Sequence, residues 1–581
     1  MTAEGHSPKE KTGTAVTDRR YSWRLRPALG INWHDLSFQS GYSISYRARS
    51  MKPLKILILD HVSPRGVEVL KSETGLEVVV KPPMTESQLL SEISGYTAVI
   101  VRSETKIGRA VIEAGRQLRV IGRAGVGIDN VDLDAATERG VVVMNTPGGS
   151  TISAAEHTLS MMLAMARNIP QAHASVKDGR WDRKSFLGVE LYNKTLGVVG
   201  LGRIGGEVAR RAIAFGMRAL AHDPFLSLAR ARSLQVELVE LDELFRNADF
   251  ITVHMPLSEE TRGMIGRDAF ARMKSGVRIL NCARGGILDE TALAEALASG
   301  RVAGAALDVY EKEPPPADLP LRKFSQVIMT PHLGASTAEA QEGVGVEIAE
   351  AVRNFLLRGE VQNAVNVPNV DTKTLSILRP YLSLAEKLGR ALSQLAPKRV
   401  GQVTVSYTGP VSEMNTQPVT RLVMKGFLER ISGQDVNQVN CMNIATNLGL
   451  RVEENRTVSL TDYAELIQVM ARADGEEFSI AGTFFGSTNN PRIVRINEYS
   501  VEASPQGILF LMANKDRPGI VGWIGAILGK HKVNIASMSL SREKQGGRAL
   551  TVLNLDSVPD EKVLSEISSD PDIYWVKVAK L

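Results

Sequence analysis

The chain has 581 residues, a length that predicts three or four domains. Its composition, 43% hydrophobic and 23% charged, is typical of a globular protein. Its 69 basic and 64 acidic residues give a net charge of +5 without long runs of one sign, which argues against nucleic acid as a partner. Two cysteines, Cys282 and Cys441, fit a reducing, cytoplasmic compartment. The sequence shows neither the ligand spacing of a metal site nor an apolar run of membrane-spanning length.

Residues 1–50 are polar, contain arginine and serine, and show no clear periodicity. We predict a disordered extension, or an upstream start assignment. An organellar transit peptide is the alternative, and it would make the location organellar. Glu4, Glu10, Asp18 and Asp35 count against it, because transit peptides are poor in acidic residues.

Apolar strand patterns alternate with helical patterns from KILILD onwards, which predicts a parallel sheet. The first helices are predicted over Pro64–Glu73 and Glu86–Ile93. A glycine loop follows in GRAGVGIDN, where Gly122, Gly125 and Gly127 do not match the dinucleotide spacing GxGxxG. This loop either holds a small anion or is a plain turn.

The segment Asn145–Gly149, NTPGG, is predicted to be a hinge, since proline and glycine interrupt both helices and strands. A long helix reaching Arg167 follows it, with methionines that suit a core or a subunit interface. Ser153 and Glu156 have the spacing of a capping box and are predicted to begin this helix.

The segment Thr195–Asp223 reads as a strand, a glycine turn, a helix and a second strand that ends on an acid. Gly200 permits the tight turn, Gly202 lets backbone amides approach a pyrophosphate, and Gly205 lets helix and strand pack closely. A carboxylate at Asp223 suits a ribose diol. Because a proline and no arginine follows it, NAD is favoured over NADP.

Three polar residues follow later strands of the same predicted sheet: Arg284, Glu313 and His332. Ligands of open α/β sheets bind at this carboxyl edge. An arginine can pair with a carboxylate, a histidine can take a hydroxyl proton, and a glutamate can orient the histidine. On chemistry alone, an ordinary surface glutamate and a loop histidine remain open. A helix over Thr337–Leu357 is predicted to return to the first sheet, which has no other cover.

The C-terminal part begins with Asn363–Thr374, whose composition predicts a linker. Residues 375–500 mix helices with short strands. From residue 504 the order of elements is βαββαβ, which is ferredoxin-like.

Residues 52–365 closely resemble the D-2-hydroxyacid dehydrogenases. The matching stretches are GRAGVGIDNVD, MNTPGGS, GLGRIG, AHDP, VHMPL, LNCARGGILDE, ALDVYEKEP and PHLGAST. The resemblance implies that Arg284, Glu313 and His332 are catalytic. It also implies that NAD is surrounded by Gly200, Gly202, Arg203, Ile204, Gly205, Asp223, Cys282 and Asp308. In this interpretation Cys282 is a small buried wall residue and not a nucleophile.

The stretches ANKDRPGIVGWIGAIL and KVNIASMSL resemble the ACT regulatory domain, and residues 375–500 occupy the place of the intervening domain of long-form D-3-phosphoglycerate dehydrogenases. This second resemblance implies oxidation of 3-phosphoglycerate, the entry to L-serine biosynthesis. Arg102, Ser103 and Arg123 of the first lobe suit a phosphate that faces the cleft, and we predict that they bind the substrate together with Asn145. As single arginines, Arg102 and Arg123 could equally be surface residues. The implied effector-binding residues for L-serine are Asn514, Asp516 and Asn534, for which ordinary turn chemistry is the alternative.

The predicted fold is α/β, with two Rossmann-like doubly wound parallel-sheet lobes, an α+β intervening domain and a ferredoxin-like ACT domain. The predicted domains are substrate binding (51–149 with 336–365), NAD binding (150–335), intervening (366–503) and ACT (504–581). We expect a homo-oligomer, a dimer or a tetramer. Two alternatives are a hydroxypyruvate or glyoxylate reductase, and an NADH-sensing, corepressor-like binding protein without turnover.

Overall fold

The computed structural model describes residues 53–368, 372–433, 435–457, 462–486 and 490–581. The prediction of a disordered extension over residues 1–50 lies outside these residues. The described chain forms four β-sheets, of five, seven, six and four strands. Within these ranges no helix combines the length and the apolar character that crossing a membrane requires.

The first lobe is built on a parallel sheet of five strands in the order β2-β1-β3-β4-β5. Its elements are β1 (Leu54–Ile58), α1 (Pro64–Lys71), β2 (Leu76–Val80), α2 (Glu86–Glu92), β3 (Ala98–Val101), α3 (Arg109–Ala114), β4 (Val120–Arg123), α4 (Leu133–Glu138) and β5 (Val142–Met144). The inner strands are apolar and buried, as expected for a sheet covered on both faces. The predicted strands and helices of this lobe are confirmed.

The second lobe is a parallel sheet of seven strands in the order β12-β11-β10-β9-β6-β7-β8. Its elements are α5 (Thr151–Ala166), α6 (Ile169–Lys177), β6 (Thr195–Val199), α7 (Arg203–Ala214), β7 (Arg218–His222), α8 (Leu228–Ser233), β8 (Glu237–Leu238), α9 (Leu241–Asn247), β9 (Phe250–Val253), α10 (Arg267–Arg272), β10 (Val277–Asn281), α11 (Glu290–Ala298), β11 (Val302–Leu307) and β12 (Val327–Met329). The strand order reverses between β6 and β9. This reversal is the switch point at which such sheets bind ligands.

The helix α5 begins earlier than predicted. It starts at Thr151, with Ser150 as its N-cap residue, so Ser153 lies inside the helix. The Ser153 hydroxyl donates to the carbonyl oxygen of Gly334 at 2.8 Å. The capping-box prediction is therefore wrong, because a partner distant in sequence takes the serine side chain.

The helix α12 (Ala338–Arg358) returns the chain to the first lobe, as predicted. It packs on α1 so closely that a Cβ atom built on Gly66 would lie 2.6 Å from the carbonyl carbon of Gly345. The predicted linker after α12 is wrong over its first residues. Ala364 forms a bridge with Met144, and the Asn366 side chain accepts the backbone N–H of Val143 at 3.0 Å. An asparagine side chain thus satisfies the edge strand β5, which composition alone did not indicate.

The third sheet is mixed, in the order β14-β13-β15-β16-β17-β18, with β13 and β14 parallel and the other pairs antiparallel. The elements of this region are α13 (Thr372–Leu395), β13 (Gln402–Thr408), α14 (Gln417–Leu428), α15 (Cys441–Asn447), β14 (Arg451–Thr457), β15 (Leu466–Ala473), β16 (Glu476–Phe484), β17 (Pro491–Ile496) and β18 (Tyr499–Ala503). The α+β prediction for this region is confirmed.

The fourth sheet is antiparallel, in the ferredoxin-like order β20-β21-β19-β22. Its region contains β19 (Ile508–Lys515), α16 (Ile520–Lys530), β20 (Ile535–Arg542), β21 (Arg548–Leu555), α17 (Glu561–Ser568) and β22 (Ile573–Lys580). One face of the sheet is covered by α16 and α17. Residues of the other face, among them Leu509, Leu511 and Val552, share a core with Leu388 and Leu392 of α13. The third and fourth regions are therefore packed together through one hydrophobic core.

Candidate active site at the carboxyl edge of the second sheet

The three predicted catalytic residues follow three neighbouring strands. Arg284 comes after β10, Glu313 after β11 and His332 after β12, and the carboxyl ends of parallel strands meet at one edge. The His332 Nδ1 atom lies 2.8 Å from Glu313 Oε2, and both side chains are partly open to solvent. The structure therefore brings the predicted imidazole and carboxylate into hydrogen-bond contact.

The Arg284 guanidinium reaches from the second lobe to the first. Its Nη1 donates to the carbonyl oxygen of Ala283 at 2.6 Å, and its Nε lies 3.3 Å from Asp129 Oδ2. A Cβ atom built on Gly127 would overlap this guanidinium. The glycine loop of the first lobe thus leaves room for a cation of the second.

Arg123 is a second cation in this glycine loop. A Cβ atom on Gly125 would overlap the Arg123 guanidinium, and Gly125 has a φ of +148°. Among the described residues, the buried Nε of Arg123 has no hydrogen-bond partner. Burial, and then the charge of Arg284, lower the pKa of Arg123 to about 10, so it remains a cation at neutral pH. Two guanidinium groups meet at this loop, an arrangement whose charge suits an anion.

The other predicted substrate residues lie around the same loop. The Arg102 backbone N–H donates to the buried carboxylate of Asp60 at 2.9 Å, and Ser103 follows on the exposed turn. The Asn145 side chain donates to the carbonyl oxygen of Val126 at 2.6 Å. Asn145 therefore links the hinge to the glycine loop. Its side-chain Oδ1 atom can act as an acceptor.

The dinucleotide loop has the geometry that its glycines predict. Gly200 has a φ of +92°, which only glycine adopts readily, and a Cβ on Gly205 would overlap the carbonyl oxygen of Gly200. Among the described residues other than Gly202 and its two chain neighbours, no heavy atom lies within 4 Å of a Cβ built on Gly202. Open space therefore adjoins the first turn of α7, where a pyrophosphate fits.

The remaining residues around this loop are in place for a dinucleotide. The Asp223 carboxylate accepts the Leu201 backbone N–H at 2.9 Å, so it lies beside the glycine turn. Arg203 is exposed and Ile204 half-buried at the start of α7. These residues fit the NAD expected from the sequence.

Cys282 is buried at the end of β10. Burial, and then the charge of Asp308, raise the pKa of this thiol to about 12. A thiol with so little thiolate at neutral pH is no nucleophile, in agreement with the interpretation as a wall residue.

Asp308 is fully buried and organises the loop that carries His332. Its carboxylate accepts from the Thr330 hydroxyl at 2.6 Å and from the backbone N–H groups of Leu333 and Gly334 at 2.7 and 2.8 Å. Burial would raise the pKa of Asp308, but hydrogen bonds from His157, Thr330 and Leu333 outweigh it and hold the pKa below its ordinary value. Asp308 is thus an anion that fixes a loop.

The predicted effector residues are not all brought together. Asn514 is buried, with its Oδ1 accepting from Thr551 at 3.0 Å, and Asp516 accepts from Arg542 at 2.9 Å. Asn534, which donates to Asp556 at 2.7 Å, precedes β20, whose start is level with the start of β19. Asn514 lies near the other end of β19, about 20 Å along the strand at the usual rise per residue.

Several residues of the site were missed by sequence reasoning. They are Asp60, Asp129, His157 and Glu347. The Glu347 carboxylate accepts backbone hydrogen bonds from the hinge residues Gly148 and Gly149. Asp60 had a signal, the acid that follows an apolar strand, and His157 lies four residues after Ser153 on one helix. In the part of the chain that is described, no cluster of three or more His, Cys, Asp or Glu side chains could hold a metal ion.

Three family models match consecutive parts of the chain. Residues 159–334 match the D-isomer specific 2-hydroxyacid dehydrogenase, NAD binding domain. Residues 377–497 match the D-3-phosphoglycerate dehydrogenase intervening domain, and residues 508–572 match the ACT domain. The resemblances expected from the sequence motifs are confirmed by these matches.

The chain is similar over most of its length to several D-3-phosphoglycerate dehydrogenases. The protein of Archaeoglobus fulgidus is 45% identical over 517 residues, 89% of this chain and 98% of the relative. The protein of Bacillus subtilis is 40% identical over 527 residues, 91% of this chain and 99% of the relative. A solved glyoxylate reductase from Paecilomyes thermophila is 31% identical with a TM-score of 0.51, covering 54% of this chain and 99% of that one. The chain belongs to the D-3-phosphoglycerate dehydrogenase family.

Proposed function

We propose that this protein catalyses the NAD-dependent oxidation of 3-phospho-D-glycerate to 3-phosphohydroxypyruvate, the first step of L-serine biosynthesis. The observation that carries the proposal is the pairing of Glu313 with His332 at the sheet edge that also holds the guanidinium of Arg284. The substrate is supported by relatives at 40–45% identity over about nine tenths of the chain.

The proposed roles follow from the chemistry of oxidation at C2. His332 takes the proton of the 2-hydroxyl group, and Glu313 on its Nδ1 stabilises the imidazolium that forms. Arg284 pairs with the substrate carboxylate. When bound, NAD supplies the acceptor for the hydride that leaves C2, so the products are the 2-oxo acid, NADH and one proton.

The phosphate of the substrate is assigned to the glycine loop of the first lobe. Arg123 offers it a buried cation with a free donor, and Arg102 and Ser103 lie on the neighbouring turn. Asn145 orients the substrate from the hinge, because its side chain already contacts this loop. The cofactor residues proposed from the sequence are kept, with the fully buried Asp308 acting through the His332 loop that it holds.

The division of labour follows the sheets. We assign substrate binding to residues 51–149 and 336–365, NAD binding to 150–335, intervening functions to 366–503 and the ACT domain to 504–581. The intervening and ACT parts share one core. We therefore expect a structural change in either part to alter the packing of the other against α13.

L-serine is the proposed effector, bound by Asn514, Asp516 and Asn534. Since Asn534 lies at the opposite end of the sheet from the other two within one chain, a site made of all three needs a second copy. This supports a homo-oligomer, a dimer or a tetramer. Apolar residues left exposed around α6 also support self-association, among them Ile169, Val176, Trp181, Leu187 and Tyr192.

The proposed compartment is the cytoplasm, with an organelle as the alternative, since a relative 43% identical from Arabidopsis thaliana is named chloroplastic. The diffuse charge supports neither nucleic acid nor a membrane as a partner.

The substrate is tested by NADH formation with 3-phospho-D-glycerate, D-glycerate, glycolate and D-lactate. We expect kcat/KM to be highest for the phosphorylated acid by at least 100-fold, since a buried cation is left unpaired by the others. Similar values with and without the phosphate would favour the glyoxylate or hydroxypyruvate reductase. Binding of NADH without turnover of any acid would favour the corepressor-like protein.

The proton acceptor is tested by His332→Ala. We expect kcat to fall by about 10³-fold while the Kd for NADH stays within about twofold, because a general base acts on the chemical step. His173→Ala, on the exposed surface of α6, is the matched control. An unchanged kcat in His332→Ala removes the histidine from this role.

Serine regulation is tested by rate measurements at millimolar L-serine in the intact protein and in Asn534→Ala. We expect inhibition in the first and its loss in the second. A point substitution is preferable to deleting residues 504–581, because the deletion would expose the core that the ACT sheet shares with α13. No response of the intact protein would leave the ACT domain a structural part.

A further inference from the structure

One face of α5 contacts the loop that carries His332. Ser153, His157 and Met161 are spaced by four residues and therefore line one side of the helix. Ser153 donates to the Gly334 carbonyl oxygen at 2.8 Å, and the Thr330 hydroxyl lies 3.9 Å from the Met161 sulfur. His157 Nε2 lies 3.2 Å from Asp308 Oδ1 and 3.2 Å from Thr330 Oγ1.

The loop that these side chains contact has an unfavourable backbone conformation. His332 has a φ of +55°, in the left-handed region that a residue with a Cβ atom adopts at a cost of about 1 kcal/mol or more. Its N–H donates to the backbone carbonyl of Asp308 at 2.9 Å, and the next two N–H groups donate to the Asp308 carboxylate. The buried carboxylate therefore holds His332 in this conformation.

The protonation of the His157 ring follows from its two neighbours. The Thr330 hydroxyl gives its one proton to Asp308, the shorter contact and the charged acceptor, so the oxygen it presents to His157 accepts. Asp308 Oδ1 also accepts. Because Nε2 faces two acceptors, it carries the proton and donates.

We propose that His157 is a positioning residue for the proposed proton acceptor His332: its Nε2–H anchors the Asp308 carboxylate, which fixes the His332 loop and keeps the imidazole on Glu313. The inference rests on the proposed function, since it concerns the same reaction. His157 touches neither Glu313 nor His332, and it acts only through Asp308 and Thr330.

Among the described residues, three titratable groups interact with Asp308. His157 comes from α5, Cys282 from the end of β10, and Tyr310 from the loop after β11. The charge of Asp308 adds to burial in raising the pKa values of both Cys282 and Tyr310, so these two groups are neutral over the working range. Of the three, His157 is the one that can donate to Asp308 from a helix.

The test compares His157→Leu, which fills the space without a donor, with His157→Gln, whose amide nitrogen can reach the Nε2 position. Glu156→Gln is the matched control, since Glu156 lies next along α5 and its side chain is mostly exposed. We expect His157→Leu to lower kcat by about 10- to 100-fold, as a displaced reacting group does. The KM for NAD stays within about twofold, and His157→Gln recovers most of kcat.

The rescue pattern separates positioning from a general loss of packing. His157→Leu keeps the volume without a donor, whereas His157→Gln keeps a donor that can reach Asp308. We therefore expect kcat to fall in His157→Leu and to return towards the wild-type value in His157→Gln. Equal losses of kcat in both variants would mean that His157 only packs, which overturns the proposal, as would wild-type kcat in His157→Leu.

Two further measurements keep the test decisive. If His157→Leu does not fold, His157→Asn replaces it, because its amide is polar but too short to reach Asp308. The rate of diethyl pyrocarbonate modification of His332 at one pH, followed by peptide mass, needs no turnover; it should change in His157→Leu and return towards the wild-type rate in His157→Gln. Kinetic ratios are taken with whichever 2-hydroxy acid the wild-type protein oxidises best, so an incorrect substrate leaves this inference tested on its own.

Discussion

The two lobes each place a glycine loop after a buried parallel strand, and the glycines of the two loops do opposite things. In the second lobe, the lack of a Cβ on Gly205 lets backbone approach backbone, and the amides at the start of α7 face open space. In the first lobe, the lack of a Cβ on Gly125 and Gly127 makes room for the guanidinium groups of Arg123 and Arg284.

The difference teaches that two anion sites in one protein can use different donors. The second lobe offers partial charges of backbone N–H groups, which cannot titrate. The loop of the first lobe gathers full charges on side chains, Arg123 of its own lobe and Arg284 of the second lobe, against their mutual repulsion. Backbone amides suit the pyrophosphate of the cofactor, whereas paired arginines suit the carboxylate and phosphate of the substrate.

The largest expected effect comes from adding one methyl group to each loop. Gly205→Ala puts a Cβ onto the carbonyl oxygen of Gly200. We expect the free energy of unfolding to fall by at least about 2 kcal/mol and NAD binding to be lost. Gly127→Ala meets the ends of two flexible side chains, those of Arg284 and Asp129. It should raise the KM for the 2-hydroxy acid and leave the Kd for NAD unchanged. Urea unfolding measures the stability of both variants, and cofactor fluorescence measures their NAD binding. The reverse pattern would contradict the comparison.

The next effect concerns the buried cation of the first loop. Arg123→Met should raise the KM for 3-phospho-D-glycerate by at least 10-fold with a smaller effect on D-glycerate, because the phosphate loses its partner. The free energy of unfolding should not fall, since the variant removes a desolvated charge close to Arg284. Arg116→Met, an exposed arginine of the same lobe, is the control. Equal changes for both acids would place the phosphate elsewhere.

A smaller effect concerns the stability of the second lobe at acid pH. Burial lowers the pKa of His254, whose carbonyl oxygen packs against Gly200, from 6.5 to about 4. Since the unfolded chain takes up this proton near pH 6.5, stability is lost as pH falls from 6.5 towards 4, by up to about 3 kcal/mol. We expect His254→Asn to flatten the fall of Tm over this window, with exposed His173→Asn as control. An equally steep fall in both variants would contradict the burial of a neutral ring.

The smallest effect is the reactivity of the two thiols. Burial raises the pKa of Cys282 to about 12 and that of Cys441 to about 11. At pH 8 on the order of 1 in 10,000 Cys282 side chains is a thiolate. Titration with a thiol reagent should therefore find no fast-reacting group in the native protein and both cysteines after denaturation. A Cys282 that reacts quickly, and is protected by NAD, would show an open cofactor loop.

The sequence by itself determined the parts whose physics is local. Apolar runs of strand length, helical periods and the spacing of Gly200, Gly202 and Gly205 specified the alternation of elements and the dinucleotide loop, because each depends on neighbouring residues. The same reasoning placed Arg284, Glu313 and His332 at strand ends, and parallel strands then share one edge.

The tertiary structure decided the contacts between distant segments. It took Ser153 from a predicted capping box to Gly334, turned part of a predicted linker into an edge partner of β5, and set His157 against Asp308. It also placed Asn534 far from Asn514 within one chain. These outcomes depend on which polar groups become buried together, and burial is fixed by packing of the whole chain, since each buried donor and acceptor must find a partner wherever the fold supplies one.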